Sequence, residues 1–420
     1  MSETEQPNQS PTVTVPRRAV WWWTVLLVAP WVLLAMTLGP QWVRECAQNW
    51  HIGKRNGKER IQYCRPGPWG DLEYTRIAIE PPEGFVVSSF EPERKTQWTL
   101  RGYTPQMLEQ LWTEANLSAA DQQALMATAR WENGIGTVVL EPSRDLVLKL
   151  TTDARARIYK ALAVFSENQA HVNPCRFRAD RVDEWFADSG ISDRTEQLIR
   201  RMLYPRGTSI MFSDWDTLAP MLGTDAERAR ALKTLARMST LLVKLRVRPN
   251  TDIEGVARYW GRGRRSKDIT PLLLSLPKLP EGYTVDVAHL LPPFARRRLY
   301  TYPNPDSDPD APRRDCHWTS LNFFSETPDD RFLSSDYVRD SIVKDYYPTF
   351  GEPLLGDLVF LMKPNGQAFH SCVYVADNIV FTKNGSQSYM PWQLMELGDV
   401  CALYSTDPPL ETRIFRYRHW

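Results

Sequence analysis

The longest apolar pattern of the chain lies near its N-terminus, where residues 19–38 contain no charged side chain. A helix of about 20 residues rises about 30 Å, which matches the hydrocarbon core of a bilayer. Tryptophans at positions 21–23 and Trp42 lie near the two ends, as aromatic residues do at membrane interfaces. The pattern predicts a transmembrane helix at 19–38, after a polar tail at 1–18 that we expect to be disordered.

Two other interpretations of this apolar run are a buried core helix and a cleaved signal peptide. The absence of a polar stripe disfavours the first, and the length of the run disfavours the second. Arg17 and Arg18 precede the run, which favours an N-terminus inside the cytoplasm and the bulk of the chain outside it. Residues 39–70 are then a juxtamembrane linker, in which Cys46 and Cys64 either pair in an oxidising compartment or remain unrelated thiols.

Residues 71–295 show mostly helical periodicity. The alternation in YTRIAIEPPEGFVV, within 72–87, first predicts short strands. Helical spacing then recurs in PQMLEQLWTEA, which starts with Pro105, and in RIYKALAVF, DEWFADSG and TEQLIRRMLY. Three pairs resemble the capping boxes of helix starts: Ser118 with Asp121, Ser213 with Asp216, and Thr224 with Glu227. We expect a mainly helical domain with short strands.

Charge and cysteine content narrow the possible partners. The chain has 51 Lys and Arg against 50 Asp and Glu, so no overall field favours nucleic acid. Residues 228–267 are locally basic, with Asp252 and Glu254 as their only acidic residues. This stretch is either a solvated helix surface or a binding surface for an acidic polymer or lipid head groups. The six cysteines show no CxxC pair and no zinc-type spacing, so we predict neither a metal nor a cofactor.

The C-terminal region, residues 296–420, carries a candidate nucleophile. In DCHWTSLNFF, Cys316 stands directly before an apolar run in which Trp318, Leu321 and Phe324 share one helical face. The thiol is therefore expected at a helix start, where unpaired backbone N–H groups favour the nucleophilic thiolate. The alternative is a cysteine that only packs in the core.

A candidate base follows about fifty residues later, where His370 opens the predicted strand HSCVYVA. The next predicted strand, NIVFTKNG, places Thr382 and Asn384 on a common face. The Asp and Asn at the turn between them favour a hairpin, which would bring Thr382 or Asn384 beside the imidazole. A thiol–imidazole pair needs such a third polar group to orient the ring. The alternative is a structural histidine.

The order of these motifs resembles the NlpC and CHAP branches of the papain-like cysteine amidases and endopeptidases. Those families have an Asp-Cys pair at a helix start, a Gly-Asp-hydrophobic strand and a histidine that opens a β-hairpin. The corresponding positions here are Asp315-Cys316, Gly356-Asp357-Leu358 and His370. The resemblance implies a C-terminal papain-like α+β domain with an antiparallel sheet, at residues 296–420.

The resemblance also implies roles for individual residues. The predicted catalytic residues are Cys316, His370, Asn384 and Thr382. The predicted substrate-binding residues are Tyr302, Trp318 and Asp357. Where NlpC proteins have small residues after the cysteine, this chain has His317 and Trp318, which would crowd the site.

Characterised relatives in those families mostly cut amide bonds in peptidoglycan peptides. We therefore expect a single-pass membrane-anchored cysteine hydrolase, with the lipid bilayer and a cell-wall peptide or polymer as its partners. The alternative is a catalytically inactive papain-like fold that serves as a membrane-tethered binding or assembly protein. The sequence does not set the oligomeric state.

Overall fold

The computed structural model describes residues 61–87, 95–132, 136–276, 281–304, 313–406 and 408–419. The predicted tail (1–18), the predicted transmembrane helix (19–38) and most of the predicted linker (39–70) lie outside these residues. Within the described part, no helix is both long and apolar enough to cross a bilayer. Cys64 is a free thiol, and Cys46 lies outside the described residues.

The described chain is an α+β protein in which every strand pair is antiparallel. The strands are β1 Gln62–Tyr63, β2 Asp71–Ile79, β3 Trp98–Arg101, β4 Arg130–Glu132, β5 Thr137–Leu140, β6 Cys175–Arg178, β7 Tyr204–Arg206, β8 Ser209–Phe212, β9 Met238–Val247, β10 Tyr283–Asp286, β11 Tyr346–Thr349, β12 Leu358–Met362, β13 Ala368–Ala376, β14 Ile379–Lys383, β15 Trp392–Glu396 and β16 Glu411–Tyr417. The helices are α1 Glu83–Val87, α2 Pro105–Glu114, α3 Ala119–Met126, α4 Arg144–Lys149, α5 Thr152–Leu162, α6 Gln169–Val172, α7 Val182–Phe186, α8 Asp193–Arg201, α9 Trp215–Leu218, α10 Asp225–Leu235, α11 Ile253–Trp260, α12 Ser266–Ser275, α13 Pro293–Arg298, α14 Cys316–Leu321, α15 Ser335–Asp345 and α16 Leu397–Leu403.

The strands form four sheets. The largest has six strands in the order β11-β16-β12-β13-β14-β15, and a second has four in the order β1-β2-β9-β10. Two three-stranded sheets, β3-β5-β4 and β6-β8-β7, complete the set. The first two sheets lie against each other, because the Thr240 hydroxyl of β9 donates to the Leu394 carbonyl of β15 over 2.9 Å.

Strands β12 to β15 of the six-stranded sheet are buried on both faces. The central strands are nearly continuous apolar runs, such as LVFLM in β12, a pattern typical of strands covered on both sides. One face shares a core with Trp260, Phe294 and Trp318, and the other face shares a core with Trp185 and Leu232. The predicted middle and C-terminal domains therefore share their hydrophobic cores, and residues 59–420 form one compact unit.

Some local predictions from the sequence are confirmed and others are wrong. The side chains of Ser118 and Thr224 cap α3 and α10 as predicted. Ser213 caps no helix, because its hydroxyl lies 2.7 Å from the Tyr204 hydroxyl and Asp214 precedes α9 instead. Of the short strands predicted within 72–87, the structure has only β2. Two prolines follow β2, and a strand ladder cannot continue through them because proline has no backbone N–H. Helix α1 begins directly after these prolines.

The basic stretch at 228–267 is not a single solvated helix surface. It runs through the end of α10, all of β9, α11 and the start of α12. Arg230 and Arg237 both bind the carboxylate of Glu80, and Arg246 binds that of Glu73. Much of its positive charge is therefore used inside the fold.

The carboxylate of Asp399, in α16, is buried among three arginines. Arg76 of β2 donates to it over 2.8 Å and Arg178 of β6 over 3.2 Å, and Arg181 donates as well. Burial raises the pKa of Asp399, but the guanidiniums of Arg181 and Arg76 outweigh burial and hold that pKa below its usual range. Arg76 also binds Glu396, so this charge cluster joins the four-stranded sheet to the end of the six-stranded sheet.

We expect Asp399→Asn to lower the free energy of unfolding by about 3–5 kcal/mol, because it removes the buried carboxylate that Arg76, Arg178 and Arg181 share. Denaturant titration at pH 7 measures this loss. Asp336→Asn is the matched control, since Asp336 and Arg339 form an exposed pair and its loss should stay within about 0.5 kcal/mol. A loss at Asp399 no larger than that of the control would contradict the anchoring role.

His171, in α6, is a buried histidine whose ring edge packs on Tyr159 with the centroids 4.4 Å apart. Among the described residues, neither of its ring nitrogens has a hydrogen-bond partner. Burial, with a smaller contribution from Arg206, lowers the pKa of His171 to about 3. The unfolded chain binds the proton below about pH 6.5 and the folded chain does not, so stability is lost as pH falls through this window.

We expect His171→Leu to remove this pH dependence. Between pH 7 and pH 5 the wild type should lose about 2 kcal/mol more of its free energy of unfolding than the variant, at about 1.4 kcal/mol per pH unit. Denaturant titrations of both proteins at the two pH values measure the difference. Equal losses would show that His171 is protonated in the folded protein.

Candidate functional site

The helix that carries the candidate nucleophile begins where the sequence predicts. Asp315 is its N-cap residue, and the Asp315 carboxylate accepts a hydrogen bond from the Trp318 N–H over 2.8 Å. Aspartate is a favoured residue at this position because its side chain satisfies a backbone donor that lacks an intrahelical partner. Cys316 is therefore the first residue of α14, and it is 9% exposed.

Helix α14 is attached to β13 by a small polar cluster. The Ser371 hydroxyl lies 3.3 Å from the Cys316 carbonyl oxygen, 3.1 Å from the Ser320 hydroxyl and 2.9 Å from His317 Nδ1. The His317 ring also stacks on Phe360, and burial lowers the pKa of His317. Ser371 thus fixes the first turn of α14, and His317 supports that contact.

His370 is bound by Thr382, one of the two polar residues that the hairpin was predicted to bring beside it, and Thr382 is bound in turn by Asn384. His370 Nε2 lies 3.1 Å from the Thr382 hydroxyl, which donates to Asn384 Oδ1 over 3.1 Å. Because the Thr382 proton is used in that second bond, its oxygen is left to accept from His370 Nε2–H. His370 Nδ1 then carries the lone pair, and among the described residues it has no hydrogen-bond partner.

Cys316 and His370 make no direct contact with each other through a hydrogen bond. Burial raises the pKa of Tyr404, whose ring stacks against His370, and negative charge on Cys316 raises that pKa further. The same charge raises the pKa of Cys372, two residues beyond His370, after burial and Cys401. Among the described residues, no hydrogen bond joins the Cys316 thiol to His370, and His370 has no exposed surface.

The three predicted substrate-binding residues lie in other environments. Trp318 is fully buried, and its indole N–H donates to Asp330 over 2.9 Å. Asp357 is fully buried and binds Arg416 over 2.6 Å. The Tyr302 hydroxyl is buried without a hydrogen-bond partner in the described part of the chain. Trp318 and Asp357 therefore have structural contacts that occupy their polar groups.

Sequence reasoning missed a buried lysine next to the site. Lys383, directly after Thr382, has no exposed surface, and its ammonium donates to the carbonyl oxygens of Gly385 (2.5 Å) and Gln387 (3.3 Å). Burial lowers the pKa of Lys383 to about 7, although negative charge on Cys316 opposes that shift. A lysine in a strand is usually expected to face solvent, so no signal in the sequence pointed to this position.

Sequence reasoning also missed an amide on the neighbouring strand. Gln393 pairs with Thr382 across β14 and β15 and is fully buried. Its Oε1 has no hydrogen-bond partner among the described residues. The inward direction of Gln393 follows from the strand register, which the sequence alone did not specify.

Comparison with known proteins found no matching family model, no matching curated protein and no matching solved structure. Across the ranges that the structure describes, no group of three or more His, Cys, Asp or Glu side chains is arranged to hold a metal ion.

We expect Thr382→Val to disturb His370 specifically, because it removes the acceptor of Nε2–H without changing side-chain volume much. The free energy of unfolding should fall by about 1–3 kcal/mol, the cost of leaving a buried donor unsatisfied. Nitrogen-15 NMR of the histidine ring should show Nε2–H in the wild type and a mixture of tautomers in the variant. Thr349→Val, in β11, is the control; an unchanged His370 spectrum in Thr382→Val would contradict the assigned hydrogen bonds.

Proposed function

We propose that this protein is a cysteine hydrolase that cleaves amide bonds, with Cys316 as nucleophile and His370 as base. Helix α14 and strands β12 to β15 would form a papain-like unit of the NlpC and CHAP type. The observation that carries the proposal is the state of His370: its Nε2 is held by Thr382 and its Nδ1 carries an unused lone pair. A base needs both features, since the ring must be oriented and one nitrogen must be available for the proton.

The proposed reaction follows from these atoms. His370 Nδ1 takes the thiol proton of Cys316, and the sulfur attacks the amide carbonyl carbon. The backbone N–H of Cys316 stands at the first helical position, where it has no intrahelical partner, and it can donate to the oxyanion. The imidazolium returns its proton to the leaving amine as the C–N bond breaks. Water, activated by the same nitrogen, then hydrolyses the thioester and releases the acid and the free thiol.

The substrate and the location are inferred from other parts of the sequence. The resemblance to NlpC and CHAP proteins favours amide bonds in peptidoglycan peptides. The apolar residues 19–38 favour a single membrane anchor, with the bulk of the chain outside the cytoplasm. These features together describe a hydrolase tethered next to the cell wall.

One observation favours a second candidate function, an inactive fold that serves as a membrane-tethered binding or assembly protein. His370 is fully buried and makes no hydrogen bond with Cys316. A hydrolase requires substrate access to both groups at some stage of its cycle, whereas a binding protein does not. The two functions differ in whether the thiol ever reacts.

We expect Cys316→Ala to lower amide hydrolysis by about 10³-fold or more, because the nucleophile of a thiol hydrolase cannot be replaced by a methyl group. Release of amino groups from peptidoglycan fragments measures the reaction in the full chain. A peptide that carries a thiol-directed electrophile should label the wild type and not the variant.

The matched control is Cys64→Ala, which removes another free thiol and should leave both hydrolysis and labelling unchanged. Hydrolysis that persists in Cys316→Ala would refute the assignment of the nucleophile. A wild type that shows neither hydrolysis nor labelling would favour the binding function.

A further inference from the structure

The face of His370 is covered by an aromatic side chain from outside the hairpin. The ring of Tyr404, the residue directly after α16, stacks on the imidazole with the centroids 4.1 Å apart and the planes 21° apart. Tyr404 is itself only half-buried. Its outer edge meets Phe369, which is 39% exposed. Tyr404 therefore covers one face of a fully buried imidazole.

Tyr404 is held in place by the small β6-β8-β7 sheet. The guanidinium of Arg176, in β6, lies 5.5 Å from the centre of the Tyr404 ring, and Arg176 Nη1 donates to the Leu403 carbonyl over 2.9 Å. The Ser209 hydroxyl, in β8, donates to the Ala402 carbonyl over 2.9 Å. These carbonyls belong to the last turn of α16, where helix carbonyls lack intrahelical partners.

The body of α16 is fixed more firmly than its end. Asp399, in the first turn, is bound by three arginines, whereas the Tyr404 ring is held by its contacts with Arg176, His370 and Phe369. A cation–π contact at a partly exposed site is among the weaker contacts of a folded protein. Movement of Tyr404 therefore does not require the anchored helix to leave its place.

We propose that Tyr404 is a gate over the candidate active site. In the closed state described here, Arg176 holds the tyrosine ring on His370. When Tyr404 turns away, the ring of His370 becomes accessible to substrate. The inference rests on the proposed function, because it concerns access to the proposed base. It explains why a candidate base with an available nitrogen has no exposed surface.

The test measures the rate at which diethyl pyrocarbonate modifies the His370 ring in the full chain, read by mass spectrometry of the His370 peptide. Arg176→Ala should raise this rate about fivefold, because loss of a weak contact shifts the gate toward its open state. Tyr404→Ala should raise it further, and Tyr404→Phe, which keeps the ring, should behave like the wild type. Arg130→Ala is the matched control, since Arg130 pairs at the surface with Glu141 in a different sheet.

Each outcome decides for or against the gate. Wild-type His370 that reacts as fast as in the urea-unfolded chain, or a rate unchanged in both Arg176→Ala and Tyr404→Ala, would overturn it. A parallel rise at the buried His171 would show general loosening of the fold and would also overturn it. Modification of His370 reports access whether or not the protein hydrolyses amides. Failure of hydrolysis would thus remove the proposed function and leave the measured gate in place.

Discussion

The buried carboxylate of Asp399 is the contact on which the arrangement of the sheets depends. An ionised carboxylate remains stable inside a protein only with compensating charge and hydrogen bonds. That charge comes from Arg76 in β2 and from Arg178 and Arg181 in and after β6, which are far from Asp399 in sequence. One side chain therefore joins two sheets to α16. Because α16 ends directly before Tyr404, the same anchor sets the surroundings of the candidate site.

Two neighbouring residues of β13 serve the two halves of that site. Side chains of a strand alternate between its faces, so Ser371 and His370 point in opposite directions. Ser371 contacts the helix that begins with Cys316, and His370 contacts Thr382 on the other face. The hairpin register thus determines both where the helix is attached and which nitrogen of the imidazole is available.

Short-range signals predicted the parts of the site that depend on neighbouring residues. An aspartate before Cys316 is enough to start a helix there, and the turn after Ala376 is enough to bring Thr382 back beside His370. The same kind of signal failed at Ser213, whose hydroxyl binds the Tyr204 hydroxyl instead. The side chain of a potential capping residue can instead form a hydrogen bond with a residue outside the helix, and the spacing of residues in the sequence does not reveal that partner.

By itself the sequence determined the apolar run at 19–38, the start of α14 and the hairpin that carries His370, because each depends on periodicity or on contacts within a few residues. Only the tertiary structure decided that strands β12 to β15 are covered on both faces, that Lys383 points inward, and that Tyr404 lies on the imidazole. Those features depend on strand register and on contacts between charged residues from distant segments of the chain. Local sequence patterns carry no information about such long-range contacts, because the free energy of these contacts arises from burial that only the whole fold creates.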